Sequence, residues 1–332
     1  MHKNKRICVV VPAHNEETQI DRVIQTIPDY VDEIVVVDDA SSDETVAVVG
    51  RQMERSERIN LIEHPVNQGV GGAIASGYKW ARDHNMDVTA VMAGDGQMAP
   101  EDLVKIIEPV VSGVADYSKG NRLFYGDAWK MIPHYRYLGN SFLSLMTKIA
   151  SGYWHLADSQ SGYTAIALIA LKRIDPDTIY KNYGMPNDLL IRLNQHDFKV
   201  CDVNIKPVYN VGEKSGIKLM KVIPRISWLL LKGFWKRLFF KYVIKDFHPL
   251  VFFYCFSCIL LSASFPLAAR IIYKWIAVGD IPDINTMVLI FTLISGFQML
   301  FFGMWFDMDY NKELGAEKRQ TVKPVGNKDA DC

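Results

Sequence analysis

The chain has 332 residues, and its 37 basic and 37 acidic side chains give a formal net charge of +0. That length fits one α/β domain with further elements attached. The charge balance argues against a nucleic-acid-binding protein, which would usually carry a basic excess. The 5 cysteines show no metal-ligand spacing and do not require an oxidising compartment.

Strand-like apolar runs alternate with helix-like segments up to residue 216. Strands are predicted over residues 7–11, 33–37, 60–62, 88–92, 163–168 and 200–205. Helices are predicted over residues 17–27, 43–55, 70–84, 101–111, 139–150 and 186–195. This alternation predicts an α/β domain, Rossmann-like, in which helices cover both faces of a mostly parallel sheet.

Three of the predicted strands end abruptly in polar residues. These ends read Pro12-Ala13-His14-Asn15-Glu16, Asp38-Asp39-Ala40-Ser41-Ser42-Asp43 and Ala93-Gly94-Asp95-Gly96-Gln97. Ligands bind at the carboxyl ends of the strands in open α/β sheets. The sequence therefore predicts one polar, metal-assisted site at this edge of the sheet.

Two uncharged apolar runs, residues 249–269 and 287–306, follow near the end of the chain. Each has about the twenty residues that a helix needs to cross a bilayer. We expect a transmembrane hairpin linked by an exposed turn over 270–286; the alternative is a buried helix pair in a larger soluble core. Basic residues flank the hairpin on one side: Lys232, Lys236, Arg237, Lys241, Lys245, Lys312, Lys318, Arg319 and Lys323. This excess predicts that the large domain and both termini are cytosolic.

Residues 217–245 interleave aromatic and basic side chains, a pattern typical of helices at the membrane interface. Pro224 is expected to separate a first short helix from the rest. The alternative is an ordinary amphipathic helix packed on the soluble domain. The predicted domains are thus a cytosolic domain (1–216), interface helices (217–246), two transmembrane helices (247–310) and a polar, disordered tail (311–332).

Four motifs together resemble the inverting family-2 glycosyltransferases of the GT-A fold. They are residues 11–16, residues 37–45, Asn67-Gln68-Gly69 and Gly94-Asp95-Gly96-Gln97. The hairpin narrows the resemblance to the polyprenyl-phosphate branch, which is similar to dolichol-phosphate mannose synthase and undecaprenyl-phosphate sugar transferases. The match covers roughly residues 5–215.

The resemblance implies roles for the first motifs in binding a nucleotide sugar. UDP-sugars are favoured and GDP-sugars are compatible, and the implied binding residues are Pro12, His14, Glu16, Asp39, Asp95 and Arg122. Asp39 would accept the imide N–H of a uracil or the corresponding donor of another base; turn and helix-cap chemistry is the alternative for Asp38, Asp39 and Asp43. Asp95, also a catalytic candidate, and Gln97 would hold Mg²⁺ or Mn²⁺ through oxygen ligands. The relatives' first acid is replaced here by Ala93.

Further residues match the relatives' acceptor and phosphate positions: Arg136, Asp158, Ser161, Gly162, Lys214, Ser215 and Lys218. Asp188 falls where many inverting relatives place a general base. A phosphate acceptor has a second pKa of about 6 and needs little deprotonation. Asp188 is therefore expected either to act as base, to position the sugar or to cap its helix.

The expected function is transfer of one sugar from a nucleotide sugar to undecaprenyl or dolichyl phosphate by an integral protein of the cell or endoplasmic reticulum membrane. The sequence is also compatible with a homo-oligomer. One alternative is extension of a lipid-linked or cell-surface glycan, which would need a true base at Asp188. Another is a non-catalytic membrane scaffold, favoured by Ala93 and opposed by the retention of Asp39, Asp95 and Gln97.

Overall fold

The computed structural model describes residues 1–124, 126, 129, 132–208, 219–279 and 281–315, with the backbone alone at 135, 136 and 219–221. Seven strands in this part of the chain form one sheet. They are β1 (Ile7–Ala13), β2 (Glu33–Asp38), β3 (Ile59–Glu63), β4 (Val88–Val91), β5 (Tyr117–Asn121), β6 (Thr164–Ala167) and β7 (Val200–Asn204). Their spatial order is β3-β2-β1-β4-β6-β5-β7.

Strand β6 is antiparallel to both of its neighbours, β4 and β5, whereas the other pairs in the sheet are parallel. Six strands therefore point the same way, and β6 begins at the edge where they end. This geometry brings the segment before β6 to the carboxyl ends of β1, β2, β4 and β5.

Helices cover both faces of the sheet because side chains alternate along each buried strand. Val9 and Val11 pack in one core cluster with helices α1 (Ile20–Thr26), α2 (Thr45–Met53) and α4 (Leu103–Val111). Cys8 and Val10 pack in the opposite cluster. That cluster includes α3 (Val70–Asp83), α6 (Leu168–Arg173) and α7 (Met185–Gln195).

The remaining helices connect the sheet domain to the apolar end of the chain. Helix α5 (His134–Ser151) packs with α7 and α8 (Leu219–Phe239), through Ala150, Ile191, Ile226 and Leu230. A π-helical segment, Phe240–Lys245, leads from α8 into α9 (Leu250–Val278), and α10 (Asp283–Tyr310) returns alongside it. Helices α9 and α10 are long and apolar enough to cross a membrane.

Two elements of the sheet domain were not predicted: helix α6 and strand β5. Strand β5 has the sequence Tyr-Ser-Lys-Gly-Asn, yet all five residues are buried. Its polar side chains are satisfied inside the protein, since Ser118 donates to the Ile106 carbonyl and Lys119 to the Ser161 carbonyl. Such a strand lacks the alternation of apolar and polar residues on which a sequence-based prediction depends.

Several predictions near the hairpin are wrong in detail. Pro224 lies inside α8 rather than ending a helix, because the one backbone hydrogen bond that it removes is offset by the packing of Ile226 and Leu230 on the sheet domain. Most of the expected 270–286 turn is helical, since α9 continues to Val278 and α10 starts at Asp283. The start of the tail is ordered: Lys312–Leu314 forms a 3₁₀ turn, and Gly315 forms a bridge with Val200.

Candidate active site

Main-chain hydrogen bonds extend beyond the strand ends and hold the predicted motif loops together. The Asp39 N–H donates to the Ala13 carbonyl at 2.9 Å, and the Gly94 N–H donates to the Pro12 carbonyl at 3.1 Å. The loops after β2 and β4 are thereby fixed on either side of the loop after β1. The sheet edge that the sequence predicted as a polar site is therefore a single connected surface.

The loop after β1 is also held by side chains. Asn15 adopts a φ of 57°, and its Oδ1 accepts the Ser42 N–H at 2.8 Å. The Glu16 N–H donates to Thr45 Oγ1 at 2.9 Å. His14 is exposed, and its Nε2 lies 3.4 Å from Nδ2 of Asn67. The structure therefore brings the first and third motifs together and leaves the His14 ring accessible to a ligand.

The carboxyl of Glu16 has a raised pKa, because it lies half-buried among other acids at this edge of the sheet. Burial, and to a lesser extent the nearby negative charges of Asp95 and Asp43, together raise the pKa of its carboxyl to about 7. Three acids from three loops thus share one region of negative potential. A cation at this edge would relieve their repulsion.

Asp39 supports a neighbouring loop. Its Oδ1 accepts hydrogen bonds from the Gln68 N–H and from His64 Nδ1, each at 2.8 Å, and its Oδ2 accepts the Gly69 N–H at 2.7 Å. The Asp39 side chain is only 4% exposed. Direct recognition of a base by Asp39 stays a prediction; its observed contacts hold the 67–69 loop in place.

The candidate metal ligands Asp95 and Gln97 lie in a tight turn. The Gln97 N–H donates to Asp95 Oδ1 at 3.0 Å, and Gly96 between them has a φ of 72°. Within the described ranges, no three His, Cys, Asp or Glu side chains are grouped so as to hold a metal. One carboxylate and one amide fit a hard divalent cation only if diphosphate oxygens of a nucleotide sugar, or water, complete its coordination.

Asp158 and Arg122 form an ion pair at the start of the segment before β6. Asp158 Oδ2 accepts from Arg122 Nε at 2.8 Å, and its side chain is fully buried. Burial by itself would raise the pKa of Asp158, but the charge and hydrogen bonds of Arg122 outweigh it and hold the pKa below its usual value. Asp158 is therefore a carboxylate that positions Arg122.

One buried residue, Lys119, and one half-buried residue, Asp202, hold the same segment from the side of β5 and β7. Lys119 donates to the Ser161 carbonyl, and Asp202 Oδ2 accepts the Ala157 N–H at 2.6 Å. These two residues are register partners on β5 and β7. Burial lowers the pKa of Lys119 to about 8 and raises that of Asp202 to about 6. The 157–162 segment is thus fixed near both of its ends by side chains from β5 and β7.

A small cavity of about 40 Å³ opens between the 157–162 segment and the loop after β4 that carries Gln97. Its lining includes Gln97, Arg122, Ser161 and Gly162. Four predicted site residues from three separate segments therefore face one space.

Asp188 does not join this group. Its Oδ2 accepts the Tyr180 N–H at 3.0 Å, from the segment before α7, and Arg192 Nε at 2.7 Å, one turn further along α7. Its neighbour Asn187 instead faces the 157–162 segment, with Oδ1 2.8 Å from Gln160 Nε2. Successive helical residues point in different directions. The observed contacts of Asp188 tie α7 to the segment before it rather than cap the helix, and its role as a general base stays a prediction.

The other predicted phosphate ligands cannot be placed. Lys214, Ser215 and Lys218 lie outside the described residues, as does the side chain of Arg136.

Three functional candidates were missed from the sequence: His64, Lys119 and Asn187. His64 directly follows β3 and so repeats the pattern of polar residues at strand ends. Lys119 and Asn187 had no comparable signal, because each lies within a regular element and is recognised only by its burial.

Comparisons with known proteins agree with this geometry. Residues 8–174 match the family model described as glycosyl transferase family 2. The UDP-N-acetylglucosamine–dolichyl-phosphate N-acetylglucosaminyltransferase of Methanococcus voltae is 32% identical over 220 residues, which cover 62% of this chain and 87% of that protein. The undecaprenyl-phosphate mannosyltransferase of Micrococcus luteus is 29% identical, over 60% of this chain and 82% of its own length.

Among solved structures, the fold is similar to glucosyl-3-phosphoglycerate synthase from Mycobacterium tuberculosis, crystallised with Mg²⁺ and UDP. The TM-score is 0.54 at 19% identity, over 70% of this chain and 79% of the other. That likeness confirms the GT-A fold. With the family model spanning half of the chain and the Methanococcus relative aligned over most of its length, the protein belongs to glycosyl transferase family 2.

Proposed function

We propose that this glycosyltransferase transfers one sugar from a nucleotide sugar to a polyprenyl phosphate at the cytosolic face of a membrane. Transfer inverts the configuration at the anomeric carbon and is assisted by Mg²⁺ or Mn²⁺. The donor is a UDP-sugar in preference to a GDP-sugar. The named acceptors of two relatives, dolichyl phosphate and undecaprenyl phosphate, support the choice of lipid.

One observation carries the proposal: the candidate site and the apolar hairpin belong to one packed unit. Helix α5 follows the Arg122 loop, packs against α8, and α8 leads directly into the hairpin. Large apolar side chains on these helices are solvent-exposed, among them Leu138, Phe142, Trp228 and Phe239. A sugar-transfer site held beside such a surface suits an acceptor that stays in the bilayer.

The contacts of this chain suggest how the reaction is organised. The acceptor phosphate, largely ionised at neutral pH, would attack the anomeric carbon without a protein base, in keeping with an Asp188 already engaged by Arg192. Arg122, oriented by Asp158, would donate to phosphate oxygens. A divalent cation held by Asp95 and Gln97 would neutralise charge on the departing diphosphate.

A donor screen tests the proposal. Full-length protein in liposomes with polyprenyl phosphate is incubated with UDP-N-acetylglucosamine, UDP-glucose or GDP-mannose, each with Mn²⁺. We expect one donor to release its nucleoside diphosphate, and release should require the lipid. Release that needs a glycosylated lipid or a soluble glycan instead would overturn the proposed acceptor.

A further inference from the structure

Two cations of the predicted interface helix do not face a membrane surface. Arg237 and Lys241 belong to the basic stripe that the sequence assigned to lipid headgroups, yet both side chains are fully buried. Lys232, Lys236 and Lys245 of the same stripe are exposed. Burying two cations is costly unless each is paired or hydrogen-bonded, so each needs a partner outside the basic stripe.

The partner of Arg237 is Asp307, in the last turn of the second apolar helix. Arg237 Nη1 and Nη2 donate to the two carboxylate oxygens at 2.8 and 2.9 Å, and neither side chain is exposed. The carboxylate also accepts from the Tyr242 hydroxyl at 2.5 Å and from Trp154 Nε1 at 3.3 Å. One carboxylate thus joins helix α10 to α8, to the π-helical segment and to the loop after α5.

Lys241 forms a second layer of the same arrangement. Its Nζ donates to Asn311 Oδ1 at 2.8 Å, to Asp197 Oδ1 at 2.7 Å and to the Asn194 carbonyl at 3.2 Å. Asn311 Nδ2 in turn donates to the Tyr242 hydroxyl at 2.7 Å. We call Arg237, Lys241, Tyr242, Asp307 and Asn311 the Asp307 cluster.

The sheet domain leaves room for this cluster at Gly152. This residue ends α5 with a φ of +79°, and a Cβ there would lie 2.5 Å from Arg237 Nη1. Arg237 Nε donates to the Ala150 carbonyl at 2.9 Å, within the last turn of the same helix. The Arg237 guanidinium therefore packs directly against the C-terminal end of α5, a helix of the catalytic domain, and from there reaches Asp307 of the hairpin.

A buried ion pair is weak grounds for a stability role, because well-packed apolar residues often serve as well or better. A bidentate pair does impose a defined geometry on the elements that it joins. A hairpin that only tethered the enzyme would need no such geometry. We propose that the Asp307 cluster holds the catalytic domain in one orientation to the hairpin, so that Asp307 and Arg237 are positioning residues for a membrane-bound acceptor.

The orientation is tested first by a distance that needs no activity. Spin labels are placed on the exposed Glu54 of the catalytic domain and the exposed Ile284 of the hairpin, as Glu54→Cys and Ile284→Cys with the native cysteines replaced. The intact cluster should give one narrow distance in liposomes. Asp307→Asn should broaden the distribution by about twofold, as for a released rigid-body contact. An unchanged width overturns the proposal.

The second measurement is kinetic and rests on the proposed function. Long-chain polyprenyl phosphate in liposomes is compared with a short-chain polyprenyl phosphate in detergent. Asp307→Asn should lower kcat/KM for the long chain on the order of 10- to 100-fold, the usual cost of a misplaced reactant. Activity on the short chain and the KM for the donor should stay near wild type.

Asp309→Asn is the matched control, because Asp309 is exposed and pairs only locally with Lys312 in the described structure. This variant should leave kcat/KM unchanged for both acceptors. Equal losses on both acceptors with Asp307→Asn would reduce the cluster to a structural role.

If that variant does not fold, Trp154→Phe removes one hydrogen-bond donor to Asp307 and should show the same pattern more weakly. An equal loss on both acceptors with Trp154→Phe also overturns the proposal. A wild-type enzyme inactive on both lipids would refute the proposed function, while the distances still decide on the cluster.

Discussion

The carboxylate of Asp158 forms a two-point ion pair with the guanidinium of Arg122, at 2.8 Å from Nε to Oδ2 and 3.2 Å from Nη2 to Oδ1. The two residues come from separate motifs, one after β5 and the other before β6. The pair is electrically neutral overall, so Arg122 offers a phosphate directional N–H donors more than net charge. The same pair fixes where those donors point.

A double-mutant cycle on this pair separates folding from function. Arg122→Met leaves the fully buried Asp158 carboxylate without its cation, and we expect a loss of about 3–5 kcal/mol in unfolding free energy. Asp158→Leu should cost less, because the Arg122 side chain is 23% exposed and can reach water. The double variant should regain much of the stability but not the transfer activity, as measured by thermal denaturation and sugar transfer. Recovery of both would mean that the pair is only structural.

The metal assignment depends on Asp95, the one carboxylate assigned as a ligand. Asp95→Ala should lower kcat on the order of 10²- to 10³-fold, as for the loss of one group that stabilises a developing charge, with the folded state retained by circular dichroism. Gln97→Ala should be milder, since a neutral amide contributes less charge. Near-normal turnover of Asp95→Ala in Mg²⁺ or Mn²⁺ would refute the assignment.

Ala93→Asp is the complementary variant for the same site. It introduces the acid that the resemblance to the polyprenyl-phosphate branch implies at this position, on a half-buried residue of the loop after β4. A second carboxylate should tighten cation binding, so half-maximal activity should be reached at a lower Mn²⁺ concentration. A metal titration of variant and wild type checks this; an unchanged midpoint would place the cation elsewhere.

Asp39 is expected to act on the donor through the loop that it supports. Asp39→Ala leaves the Gln68 N–H without its acceptor and the Gly69 N–H with Asn67 Oδ1 alone, at 3.0 Å. Donor affinity should therefore fall more than kcat, because the loss affects the bound ground state and the transition state alike. Ser76→Ala is the control, because it removes the hydrogen bond between Ser76 and His64 but leaves the contacts of Asp39 with the 67–69 loop intact. Isothermal titration with UDP and GDP distinguishes the routes: direct base reading predicts a loss confined to one base, and loop support predicts equal losses.

Asp188 and Asn187 give opposite predictions for adjacent residues. Asp188→Asn should retain kcat within a few-fold and cost about 1 kcal/mol of stability, since its observed contacts are a hydrogen bond from the Tyr180 N–H and an ion pair with Arg192. Asn187→Ala should lower kcat by about tenfold, because Asn187 holds Gln160 within the 157–162 segment and lost positioning is costly. A pH–rate profile that loses its acidic limb in Asp188→Asn would restore Asp188 as the base.

The sequence predicted the parts of the site that are carried by apolar strands ending in polar residues. Strands β1, β2 and β4 and their loops were found because each changes character within one or two residues. Strand β5 was missed because its Lys119 and Ser118 find buried partners that are distant in sequence. Arg237 was misplaced for the same reason. A basic stripe looks alike whether it meets lipid or an aspartate 70 residues away.

The mass of the lipid product tests the central claim most directly. Full-length protein in liposomes with polyprenyl phosphate, the active nucleotide sugar and Mn²⁺ is incubated to completion, and the extracted lipid is analysed by mass spectrometry. We predict a polyprenyl monophosphate that has gained one sugar residue, with one nucleoside diphosphate released for each. Free sugar without a glycosylated lipid, or a product carrying two or more sugars, would contradict single transfer to the lipid phosphate.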